Sequence, residues 1–161
     1  MADLYMLCGI PGSGKTTWGR THSSLCDRYI ARDDIRFYLL KDGEDYFAHE
    51  DEVLKLFYER INEALEKGYD VFADATHLTV AARKKFLSNI SAKYNKLNII
   101  AFDIPLCVAL ERNEHREGRS FVPKSVIRRM WNQFEMPTYE EGFNKIYRVD
   151  KDNKIHIVQE V

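Results

Sequence analysis

The residues with the clearest chemistry lie near the start of the chain. There GIPGSGKTT, residues 9–17, follows the apolar run LYMLC and matches G-x-x-x-x-G-K-[ST]. Glycines at 9, 12 and 14 let the backbone curl so that successive N–H groups turn inward, and the positive end of a following helix adds to them. Such a cradle suits a polyphosphate, with Gly9, Pro11, Gly12, Ser13, Gly14, Lys15, Thr16 and Thr17 as its candidate residues. Lys15 would reach the β- and γ-phosphates of a nucleoside triphosphate as a point charge, and the Thr16 hydroxyl would ligate the Mg²⁺ that bridges them.

What becomes of a γ-phosphoryl group depends on the acceptor side, so a base, an acceptor clamp and a mobile cation are needed. Asp33 stands at the carboxyl end of the second expected strand, where ligands of open α/β sheets bind, and is the candidate base. Its neighbour Asp34 reads as a helix cap. Arg36, three residues on, shares a helical face with Asp33 and could hold an acceptor phosphate. Asp74 and Asp103 each end an apolar strand, and spacing alone does not say which one serves the metal. The stretch RNEHREGRSF holds Arg112, His115, Arg116 and Arg119 between two helices and reads as a lid at about 112–122, with Arg116 neutralising charge on the transferred group.

These residues need a scaffold, and the pattern supplies one. Strands are expected at 3–10, 28–31, 70–75 and 97–105. Helices are expected from the phosphate loop to Ser23, over RDDIRFYLL, from Asp51 to Lys67, over TVAARKKFLSNISAKY with Thr79 as cap, from Leu106 to Glu114, and after Pro123. The last of these carries apolar Val126, Ile127, Met130, Trp131 and Phe134. KIYRV and KIHIVQ close the chain as two strands around DKDN. Strands alternating with helices argue for a three-layer α/β fold with a parallel core sheet.

With 161 residues and 45% hydrophobic content, the chain is one domain's worth. Its net charge of -1 excludes a broad basic coat, so a nucleic acid would have to meet a local patch. Arg83, Lys84, Lys85, Arg128 and Arg129 are candidates to flank an acceptor path, with a solvated face as the alternative. Cys8, Cys26 and Cys107 lack metal-ligand spacing, and buried reduced thiols are expected. No long apolar run or signal-like N-terminus is present, so a cytoplasmic protein away from membranes is expected.

Taken together, GIPGSGKTTW, RDDIR, DATHLT, FDIP and RNEHREGRSFVP resemble, in order, the kinase domain of bacteriophage-type polynucleotide 5'-hydroxyl kinases. QFEMPTYEEGF, residues 133–143, is similar to a segment of the animal kinase half and of kinases acting on charged tRNA. The resemblance covers nearly the whole chain and implies a P-loop NTPase fold with a helical lid, ATP and Mg²⁺ as cofactors, and transfer to 5'-hydroxyl ends of DNA or RNA. It implies Asp33 as general base, Arg36 on the acceptor phosphate, and Arg116 on ATP, with Arg112 and Arg119 beside it. It further implies Asp74, rather than Asp103, on the metal and acceptor side together with Thr76. His77 departs from the Asn of the family pattern. Asp150-x-Asp152 reads as a hairpin turn, so 3'-end processing is not expected, and a separate ligase or phosphatase would be the partner. Two other activities fit the same scaffold: a kinase of a small-molecule or aminoacyl-tRNA acceptor, and a non-enzymatic nucleotide switch.

Overall fold

The computed structural model describes residues 1–24, 27–118 and 121–160. Cys26 and Arg119, both singled out above, lie outside the described residues. The most apolar strand, β1 (Leu4–Cys8), is central, with β3 (Asp70–Asp74) on one side and β4 (Leu97–Phe102) on the other. β2 (Asp27–Ala31) extends the sheet beyond β3, and β5 (Lys145–Val149) with β6 (Ile155–Ile157) extends it beyond β4. The order is β2-β3-β1-β4-β5-β6, parallel except for the β5–β6 pair. The parallel strands need burial on both faces, which accounts for their continuous apolar runs.

Alternation along each strand divides the core. Leu4, Met6 and Cys8 join Val71, Ala73 and Ile99 on the face covered by α2 (Arg32–Leu39), α3 (Glu50–Glu66) and α4 (Val80–Ser88), through Ile35, Phe57, Ile61 and Phe86. Leu7, Phe72, Ile100 and Phe102 face the other way, against Trp18 of α1 (Lys15–His22). A third cluster, Ile10, Leu78, Ile104, Ala109 and Ile127, seats α5 (Leu106–Glu114) and α6 (Lys124–Gln133). The chain is therefore a three-layer α/β fold, as expected.

Local details depart from the sequence reading for identifiable reasons. α4 begins at its expected cap, where Thr79 accepts from the Ala82 amide at 3.1 Å, but stops at Ser88 instead of running to Tyr94. Asn62 of α3 captures the amides of Ser91 and Ala92 at 2.9 and 3.1 Å, offering the backbone an alternative to helix. Trp131 is 44% exposed rather than core, because α6 buries only a narrow stripe centred on Ile127. Cys8 is buried, and burial pushes its thiol up to about 12, whereas Cys107 is exposed in the first turn of α5. The expected turn at 150–153 is present: Asp150 accepts the amides of Asp152 and Lys154 at 2.9 and 3.0 Å. No helix among the described residues is long and apolar enough to cross a membrane.

Candidate active site

The phosphate loop leaves β1 at Gly9, whose amide donates to the Thr76 carbonyl at 3.0 Å and so ties the loop to the end of β3. Gly12 (φ 82°) and Gly14 (φ 94°) are left-handed, a region where side chains are strained. A Cβ on Gly12 would lie 2.6 Å from the Ala109 carbonyl oxygen, so the glycine also lets α5 rest directly on the loop. Gly14 caps α1 without any side-chain hydrogen bond, and the first-turn amides remain for an anion. Ser13 Oγ is buried with no partner, a polar atom that a bound phosphate would satisfy. Lys15 Nζ meanwhile reaches the Ile10 carbonyl at 3.4 Å, while Pro11 is half-buried and Thr17 exposed. The loop thus fits a nucleoside polyphosphate.

Beside it lies a carboxylate corner. Thr16 Oγ1 donates to Asp74 Oδ2 at 3.1 Å, and the Tyr29 hydroxyl donates to the same oxygen. Thr16 keeps oxygen lone pairs for a cation, and Mg²⁺ carried with a nucleotide uses only one or two protein ligands, so these residues fit the ion. Among the described residues no group of three or more His, Cys, Asp or Glu gathers into a protein-only metal cage. Asp103 stands exposed past β4, its amide donating to Val149.

The acceptor candidates meet at the start of α2. Asp33 Oδ1 accepts from Arg36 Nη1 and from the Tyr46 hydroxyl, the latter at 2.8 Å. Arg36 is 4% exposed and is no surface arginine. Glu50 takes its Nε and both contacts of Nη2, at 3.3, 2.9 and 2.8 Å, and Nη1 also donates to the Tyr46 hydroxyl at 2.7 Å. Burial, the largest single influence, opposes the Arg36 charge, yet the Glu50 hydrogen bonds together with the Tyr46, Asp33 and Glu50 charges hold the pKa above its ordinary value. Burial, then the Asp33 charge, pushes the Tyr46 phenol up, so it remains a donor. The Tyr46 ring lies 4.3 Å from the guanidinium, and Phe47, 63% exposed, lies 5.9 Å from it. Asp34 instead pairs with Arg20 at 2.7 Å.

In the segment expected to be a lid, Arg112 lies against the phosphate loop: Nη1 donates to the Ser13 carbonyl at 3.2 Å and Nη2 to the Lys151 carbonyl at 3.0 Å. Arg116 is half-buried beyond the end of α5, its amide donating to Asn113. Asn113, fully buried, ties the two ends of this segment together by bonding the Val122 amide and carbonyl at 3.0 and 2.6 Å.

Arg83 departs from both of its expected roles, and His77, for which no role was expected, is structural. Arg83 is 1% exposed, so it neither flanks an acceptor path nor forms a solvated face. It pairs with Glu141 at 2.7 Å and donates to the His77 carbonyl at 2.9 Å, whereas Lys84, Lys85, Arg128 and Arg129 are exposed. His77 has φ 45° and is buried behind the loop, with Nδ1 bonded to the Leu7 carbonyl at 2.7 Å. Burial and the nearby Arg32, Lys15 and Arg83 push its pKa down to about 3 against that carbonyl bond, so the ring is neutral and Nδ1 is the donor. Sequence reasoning missed Tyr29, Tyr46 and Glu50, which reach the named carboxylates and Arg36 only through tertiary packing.

The model of the AAA domain family (AAA_33) matches residues 4–137. The chain belongs to the AAA_33 family. No curated protein matches it by sequence. Among solved structures, this AAA_33 domain is similar to a chain of the Pnkp1/Rnl/Hen1 RNA repair complex, at 25% identity and TM-score 0.71. That match covers 82% of this chain and 43% of the other, so this chain spans less than half the length of its counterpart. It is also similar to a sugar kinase from Janibacter sp. HTCC2649 (18% identity, TM-score 0.67, covering 93% and 86%). Kti12 from Chaetomium thermophilum, solved in complex with ADP-AlF3, is a further likeness (17%, TM-score 0.69, covering 94% and 90%). The AAA_33 domain therefore has the fold of P-loop kinases, and nucleotide (ATP) binding goes with that family.

Proposed function

We propose that the chain is an ATP-dependent polynucleotide 5'-hydroxyl kinase, one P-loop kinase domain over 1–161 with a lid at about 112–122. The observation that carries this reading is the contact between Asp33 and Arg36. A 5'-terminal nucleotide offers a hydroxyl with a phosphate close by, and a carboxylate joined to a guanidinium matches that pairing of groups. Both donors to Asp33 fall on Oδ1, which keeps Oδ2 to take the hydroxyl proton. The acceptor phosphate takes Arg36 Nη1, displacing the Asp33 and Tyr46 contacts, while Glu50 keeps the rest of the fork in place. The exposed Phe47 ring beside the fork suits stacking of a base.

On the donor side, Gly9, Pro11, Gly12, Ser13, Gly14, Lys15, Thr16 and Thr17 hold the ATP phosphates, with Arg112, Arg116 and Arg119 offsetting charge on the transferred group. Thr16 and Asp74 would hold Mg²⁺, which when bound neutralises charge on the β- and γ-oxygens. Thr76, whose carbonyl ties it to Gly9, would contact the acceptor. The likeness to a chain of an RNA repair complex supports the reading, and its assembly with Rnl and Hen1 supports partner enzymes here.

The test supplies γ-labelled ATP, Mg²⁺ and two matched oligonucleotides, one with a 5'-hydroxyl and one with a 5'-phosphate. Label on the hydroxyl end alone is expected. Label on neither, with ATP still bound, contradicts the proposal. It would favour the second reading, a kinase of a small-molecule acceptor, for which one observation speaks: residues 42–52 carry six carboxylates and no Lys or Arg. That stretch repels a long phosphate backbone.

A further inference from the structure

Tyr29 was not among the residues with evident chemistry, yet it sits at the metal-binding corner. It lies on β2 with its partner Phe72 on the face that α1 covers, and its hydroxyl reaches Asp74 at the end of the neighbouring strand. The ring passes directly under α1 at Gly19, where an added Cβ would lie 2.4 and 2.8 Å from two ring atoms. Alanine is about 1 kcal/mol better than glycine inside a helix, so this close approach explains the glycine. Arg20, 5.7 Å from the ring centroid, pairs with Asp34 of α2.

We propose that Tyr29 is a positioning residue that fixes the Asp74 carboxylate for a nucleotide-bound cation, and that Gly19 is glycine to admit it. This rests on the reading that Thr16 and Asp74 hold Mg²⁺. Thr16 from α1 and Tyr29 from β2 donate to the same oxygen, Oδ2, and Oδ1 takes neither bond. A carboxylate held by Thr16 alone can turn about its last torsion and exchange oxygens. Held from two elements it cannot, so Oδ1 would remain the oxygen available to hold a cation. An ordinary phenol is protonated at working pH, so the Tyr29 hydroxyl is the donor in this contact. Groups that orient a metal-binding residue commonly contribute tenfold or more to metal affinity.

The experiment measures binding of a non-hydrolysable ATP analogue by titration calorimetry with and without Mg²⁺. The ratio of the two affinities reports on the metal independently of turnover. Tyr29→Phe should lower that ratio by about tenfold while leaving the metal-free affinity and Tm as in wild type. Gly19→Ala should cause the same loss, and should add none when combined with Tyr29→Ala, which removes the ring it displaces. A wild-type ratio in Tyr29→Phe, or equal losses with and without Mg²⁺, overturns the proposal. Asp74→Asn separates it from the reading beneath it. A ratio lost in Asp74→Asn but kept in Tyr29→Phe removes Tyr29's role alone. A ratio kept in both removes the metal assignment as well.

Discussion

The donor and acceptor ends of the site are built in opposite ways. At the donor end the first-turn amides of α1 have no side-chain cap and Ser13 Oγ has no partner, so a polyphosphate meets open donors. Of the loop's charged groups only Lys15 has a weak contact, 3.4 Å to the Ile10 carbonyl, to give up. At the acceptor end every donor of the Arg36 fork is taken by Asp33, Tyr46 or Glu50, and a ligand has to exchange for one of them. The first arrangement favours tight binding of any triphosphate. On the proposed reading, the second would make acceptor choice depend on what can break an existing contact, and a phosphate arriving at Arg36 would release Asp33 to act as the base.

Three substitutions sharpen that contrast. Lys15→Ala should lower transfer by about 10²- to 10³-fold and weaken ATP binding measured by titration, because no other loop side chain carries its charge; a small effect would move the donor site elsewhere. Arg36→Lys keeps the charge but loses the fork, so the KM for a 5'-hydroxyl oligonucleotide should rise about tenfold with ATP affinity unchanged. Equal effects on both substrates would erase the distinction between the two ends. The smallest effect concerns the shared wall. His77 has an ordinary pKa of 6.5 and is held neutral down to about 3 in the fold. The unfolded chain therefore binds the extra proton first, and stability should fall by up to about 1.4 kcal/mol per pH unit as pH drops below 6.5. Urea unfolding of His77→Asn should show that slope flattened, and an unchanged slope would assign it to other groups.

The same contrast explains what could be read from sequence. The donor loop was legible because its function lies in contiguous residues whose spacing dictates backbone geometry, and the alternation of β1, β3 and β4 with helices gave the layers. Asp33 and Asp74 stood out as candidates from their places at strand ends, although Asp103 ends a strand too and only the family resemblance set Asp74 above it. Their hydrogen-bond partners were not legible, because Tyr46, Glu50 and Tyr29 arrive by packing across elements. Arg83 misled for the same reason: a basic run heading an amphipathic helix looks solvated until Glu141, on a distant 3-10 turn (Tyr139–Glu141), is brought against it. His77, a departure from the family pattern, is a buried brace whose left-handed backbone and carbonyl contact no spacing rule predicts.

The most direct measurement is Asp33→Asn, assayed for ATP affinity and for single-turnover transfer to a 5'-hydroxyl oligonucleotide. The account predicts wild-type ATP affinity with transfer reduced by about 10²-fold or more. Transfer that survives the substitution would contradict Asp33 as the base and the division of the site that depends on it.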